Sequence, residues 1–222
     1  PTVMIELDRR SYLKTAGVAA ASTLGLAGCA GTASATGTLA TRVTDQPGDI
    51  SDFESCVVTI QGIWVKPATG DTTATTQDGG TADGSGDATE TVVEQEAGDI
   101  DESDARTYHE FGESQEADLV QLQNGTTDLV DERELDVGSY EFLQLDVTNV
   151  ESVLAEGGDA QVDTPGGAPL QFKHPFEIRE DQVTTFTGDF TPVSLGQTGR
   201  YLLQPVAGGT SVEYADVTED DA

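Results

Sequence analysis

From residue 37 onward this chain never keeps an apolar residue on a 3.6-residue period for the three turns of a helix, yet it alternates apolar and polar residues repeatedly. Residues 38–44 place Leu39 and Val43 on one face and Thr38, Ala40 and Arg42 on the other. Residues 55–65 are the strongest strand. Cys56, Val58 and Ile60 share a face there, and Gly62 is placed to act as a β-bulge that hands the inward side to Ile63 and Val65. Lys66-Pro67 ends that strand. Residues 139–150 predict a second long strand, with Leu143, Leu145 and Val147 inward and Gln144, Asp146 and Thr148 outward. Further regular segments are expected at 106–111, 119–123, 175–178, 183–190 and 201–206, and a weaker one at 210–214. Turn signals separate them at Gln46-Pro47-Gly48-Asp49, Asn124-Gly125, Gly157-Gly158 and Pro165-Gly166-Gly167. The pattern predicts an all-β chain: a single antiparallel β-sandwich over residues 37–214, with about seven to nine strands.

Residues 69–105 differ in kind. They carry eleven acidic side chains and no basic one, with little to bury beyond Val92, Val93 and Ile100. Such a stretch does not offset the entropy of ordering, so it is expected to be a long disordered acidic insert between strands. Residues 215–222 form an acidic tail.

The first 28 residues read as an address. Asp8-Arg9-Arg10-Ser11-Tyr12-Leu13-Lys14 precedes a run of small and apolar residues ending at Leu26-Ala27-Gly28-Cys29. Arg9 and Arg10 fit a twin-arginine export signal, and the ending fits a lipid-attachment site at Cys29. Residues 16–28 are too short to cross a hydrocarbon core that needs about 20 residues. Met4 is the only methionine, so translation is expected to begin there. Residues 29–36 then tether the sandwich; a flexible seven-residue link reaches about 15 Å. The expected location is the outer face of a cell membrane, held by a two-chain lipid.

Charge adds a second constraint. The chain carries a formal net charge of −31. After cleavage before Cys29, 39 acidic side chains face seven basic ones, and Lys66 and Lys173 are the only lysines. A charge so large and so evenly spread destabilises a compact state unless salt screens it, and at molar salt the screening length falls to about 3 Å. We read it as the surface of a halophile's protein. No basic stripe exists to neutralise phosphates, so nucleic acid is not an expected partner.

Chemistry is sparse. With Cys29 given to lipid, Cys56 has no disulfide partner and reads as a buried, inert thiol. His109 and His174 each lack a second ligand at the short spacing of a zinc motif, and no nucleophile elbow occurs. A blue-copper site is excluded because Cys56 precedes both histidines by more than 50 residues and no methionine follows Cys29. Calcium stays open as a partner: oxygen ligands abound in 78–87 and 99–104, although neither segment has the spacing of a twelve-residue calcium loop. Asn124-Gly125-Thr126 is an N-glycosylation acceptor sequence in an expected hairpin turn. No catalytic residue, metal site or cofactor is implied.

Several pieces, taken in order, resemble the domain of unknown function 4382 family of haloarchaeal and bacterial exported lipoproteins. They are Gly37-Thr38-Leu39 with Val43-Thr44-Asp45 and Pro47, Val58-Thr59-Ile60 with Val65, residues 118–125, Gly138-Ser139-Tyr140 leading to Leu145-Asp146-Val147, Thr164-Pro165-Gly166-Gly167, Phe176-Glu177-Ile178, Asp189-Phe190, and residues 201–206. The resemblance implies a β-sandwich, transthyretin-like in form, and transfers no catalytic residues. The functional expectation is a non-catalytic binding or assembly module meeting a cell-envelope protein or glycan. The alternatives are a carboxylate-pair hydrolase such as a glycosidase and a fibre subunit that exchanges an edge strand.

Overall fold

The computed structural model describes residues 34–46, 48–68, 92–196 and 198–217. The strands are β1 (Thr36–Thr44), β2 (Phe53–Pro67), β3 (Thr107–Asp118), β4 (Asp128–Asp136), β5 (Gly138–Leu154), β6 (Gln161–Asp163), β7 (Leu170–Phe172), β8 (Phe176–Ile178), β9 (Gln182–Ser194), β10 (Arg200–Pro205) and β11 (Ser211–Asp216). Among the described residues there is no α-helix, only short 3₁₀ turns. Two sheets form a sandwich. One runs β4-β1-β9-β10-β6, with β11 also paired to β9; the other runs β3-β2-β5-β7, with β8 also paired to β5.

The alternation read from the sequence builds the core between them. Leu39 and Val43 of β1 and Phe186 and Phe190 of β9 meet Cys56, Val58, Ile60, Ile63 and Val65 of β2 and Leu143 and Leu145 of β5, all buried. Gly62 is the expected bulge: the register of β2 shifts between Ile60 and Gly62 against both neighbours, so Ile60 and Ile63 both face inward. Phe186 packs edge-on against Phe172 and Phe176, at ring-centroid distances of 6.1 and 5.3 Å. Gly188 gives that cluster room, since a Cβ there would lie 3.0 Å from the Phe172 ring.

Several expectations need correction. The sandwich is not wholly antiparallel, because β1 pairs parallel with β9 and β6 parallel with β10. Among the described residues eleven strands replace the expected seven to nine. β4 was hidden because its core-facing positions are partly charged. Arg133 and Asp131 sit opposite Leu39 and Thr41, pair with each other, and Arg133 stacks over Phe111 at 5.5 Å. A register shift at Thr41/Arg42 then breaks the period of two before Val130. Residues 119–122 are a 3₁₀ turn, not a strand: the Asp118 carboxylate accepts the Val120 N–H, and Leu119 and Leu122 are buried together. Asn124-Gly125 is a tight turn with φ of 61° and 79°, but it links that 3₁₀ turn to β4 across the two sheets instead of closing a hairpin.

The insert also needs a correction. Its residues 69–91 lie outside the described residues, whereas residues 92–105 are ordered and docked. Val92 bridges to Val206, and Ile100 is buried. Strand directions give the sandwich two distinct ends. Ser34, Ala68, the β4–β5 turn, residues 179–181 and Val217 gather at one, joined by Val137 N to Ala35 O and Val217 N to Asp181 O. The turns at 45–52, 119–127, 155–160 and 195–199 lie at the other.

Candidate functional site

The second end is built by short-chain carboxylates that bind backbone donors across turns. Asp49 accepts the Ser194 N–H at 2.7 Å, and Asp118 accepts the Cys56 N–H at 3.1 Å. Asp52 accepts the Tyr201 hydroxyl at 3.0 Å, and its own carbonyl accepts the Ala155 N–H. Thr44 donates its hydroxyl to the carbonyls of Leu122 and Thr126. These bonds join four turns into one surface. Burial and the Asp52 carboxylate together raise the Tyr201 phenol, which therefore stays protonated as a donor. A cavity of about 350 Å³ opens here, lined by Ser51, Asp52, Leu154, Ala155, Glu156 and Tyr201. It offers two carboxylates and an aromatic ring, a lining suited to a partner that supplies hydrogen-bond donors or positive charge.

Beneath the same end lie two aspartates with no exposed surface, Asp45 and Asp189. Burial pushes the Asp45 carboxyl up to about 7, and the nearby Thr191 hydroxyl pulls it back. Neither carboxylate lines the loop-end cavity or the four other cavities of the sandwich surface that the lining residues define. The thiol of Cys56 is fully buried and is pushed up to about 12, first by burial and then by the fields of Asp118 and Asp45, as its inert reading requires.

A second polar region straddles the seam where β10 meets β7. Residues 92–106 cross it on four glutamines. Gln204 accepts the Gln95 N–H at 2.8 Å, Gln95 accepts the Gln171 N–H at 3.1 Å, and Gln171 accepts the Asp101 N–H at 2.8 Å. Gln144, fully buried although outward on β5, donates to the Asp101 carbonyl and to Gln171 Oε1 and accepts from Arg106 at 2.6 Å. Arg106 in turn lies 4.0 Å over the Trp64 ring. Lys66 binds Asp101 at 2.6 Å and Glu141 at 3.2 Å, and this holds the Asp101 carboxyl well below the usual range. A small, mostly apolar cavity of about 120 Å³ remains under the segment, with Lys173 and His174 in its lining.

Cys29, Arg9 and Arg10 lie outside the described residues. Asn124 is exposed at the crest of its turn, with Thr126 exposed beside it. His174 is half-buried in the β7–β8 connection, whereas His109 lies on β3, where burial and Arg133 lower its pKa. The two histidines are therefore on different elements. Among the described residues no three of His, Cys, Asp and Glu gather as a metal-holding group. The loop-end cavity and the buried Asp45 had no sequence signal, because each depends on turns that meet only in three dimensions.

No curated protein and no solved structure matches the chain. The sequence profile of a family described as Domain of unknown function (DUF4382) matches residues 36–205, which begins at β1 and ends at β10. Most of the sandwich lies inside that match, and the chain belongs to the DUF4382 family.

Proposed function

We propose that this chain is a lipid-anchored cell-surface β-sandwich of a halophile, acting as a non-catalytic binding module through the end that carries the 45–52, 119–127, 155–160 and 195–199 turns. The observation that carries this reading is the polarity of the sandwich. The described chain enters at one end through Ser34, and the turns tied together by Asp49, Asp52 and Asp118 form the other. A lipid on Cys29 would be separated from Ser34 by five residues, a reach of at most about 18 Å. The entry end would therefore face the membrane and the turn end the surroundings. Among the described residues no helix is long and apolar enough to cross a membrane.

The surface of the turn end selects among partners. Asp52 and Glu156 in its cavity favour cationic groups or the hydroxyls of a glycan over anions. The exposed acids on β3 and β4, among them Glu113 and Glu134, disfavour edge-to-edge pairing, which supports a binding module over a strand-exchanging fibre. The test is photo-crosslinking on intact cells in their native salt, with the reactive group placed at Glu156 or at Val137. Envelope adducts from position 156 and none from 137 support the reading. Adducts from 137 alone, or a Cys29→Ala chain that stays on the membrane, contradict it. Dialysis to millimolar salt should unfold the purified chain; full stability there would contradict the halophilic assignment.

A further inference from the structure

Asp45 follows the last residue of β1 and turns beneath the 45–52 loop, where its N–H donates to the Leu122 carbonyl at 3.4 Å. Its side chain has no exposed surface, and neither carboxylate oxygen has a hydrogen bond of good geometry. The Thr191 hydroxyl is close enough to act on that carboxyl, is equally buried, and is also without a well-formed bond. Two residues earlier on the same face of β9 stands Asp189, whose Oδ1 accepts the Gln46 N–H at 3.0 Å. Glycine backbone packs closely against these side chains. A Cβ on Gly48 would fall 2.7 Å from the Thr191 hydroxyl, and one on Gly209 would collide with the Asp189 carboxylate.

An ionised carboxylate buried without a partner costs several kcal/mol. No lysine or arginine among the described residues pairs with Asp45. A cation held by the oxygens themselves would stabilise the charged form in place of a proton. The donor set consists of carboxylate and hydroxyl oxygens, with fewer than three of the His, Cys, Asp and Glu groups that a transition metal uses. Such oxygens suit a hard cation. We propose that Asp45, Thr191 and Asp189 hold a sodium or calcium ion that pins the 45–52 loop to β9. The site is independent of anchoring and of any partner at the turn end.

Thermal unfolding of the full chain in molar potassium chloride tests this, with calcium added in one arm and sodium replacing potassium at equal ionic strength in the other. A rise of about 5 °C in one arm is expected, and the arm that responds names the ion. Asp45→Asn should unfold cooperatively and lose that rise. Thr191→Val should weaken the response at least tenfold in ion concentration, and it serves as the second readout should the first variant fail to fold. No rise in either arm, or the same rise in both variants, would overturn the proposal and leave Asp45 a neutral buried acid.

Discussion

The glutamine bridge under residues 92–106 and the aspartate pocket under residues 45–52 are both buried and polar, but they differ in how their atoms are satisfied. Gln95, Gln144, Gln171 and Gln204 exchange bonds with backbone, with one another and with Arg106. Asp45 and Thr191, equally buried, leave three side-chain oxygens without a well-formed bond. A satisfied network of neutral amides rigidifies the seam it spans. A carboxylate left bare at the same depth has a cost that something must offset. The first region is therefore a structural clasp, and the second is where a ligand is to be sought.

Substitutions can break or sharpen that contrast. The largest effect is set by the core: Phe186→Ala should lose about 3–5 kcal/mol in chemical denaturation at molar salt, because Phe186 is fully buried among three aromatic rings. Gln144→Leu comes next, at about 2–4 kcal/mol, since it strands the Asp101 carbonyl, Gln171 and Arg106 together. Asp45→Asn, without calcium or sodium, should instead leave stability unchanged or raise it by about 1 kcal/mol, because it removes a charge instead of a bond. An equal loss in the two polar variants would dissolve the distinction between the regions.

A pH titration sharpens the clasp further. The pKa of Asp101 is lowered in the folded chain, by the hydrogen bond from Lys66 first and then by bonds from Ser103. Its contribution is therefore present above the unfolded value of about 4 and is lost as pH falls below it. The protection factors of the Asp101 and Ser103 amides should hold from neutral pH down to about 4 and fall below it. Asp101→Asn should abolish that dependence. The smallest effect is at Cys56, where a thiol pushed up to about 12 and fully buried should resist alkylation until the chain unfolds.

The sequence carried these two regions unequally. Alternation marked β2 and β5, and Gly62 marked the bulge, because both are local consequences of one buried face. β4 escaped because Arg133 and Asp131 occupy inward positions that only their mutual pairing makes acceptable. The docking of residues 92–105 escaped because composition counts apolar area, whereas this segment is held by amides borne on β5, β7 and β10. The parallel pairing of β1 with β9 joins residues more than 140 positions apart, and alternation does not name partners. The bare oxygens of Asp45 follow from the same meeting of strands.

The most direct measurement is the unfolding free energy of the wild-type, Asp45→Asn and Gln144→Leu chains, each with and without the responding cation at matched ionic strength. The account predicts that the cation stabilises the wild type and Gln144→Leu by the same increment and leaves Asp45→Asn unmoved. An increment that survives in Asp45→Asn, or that disappears in Gln144→Leu while that variant remains folded, would contradict it.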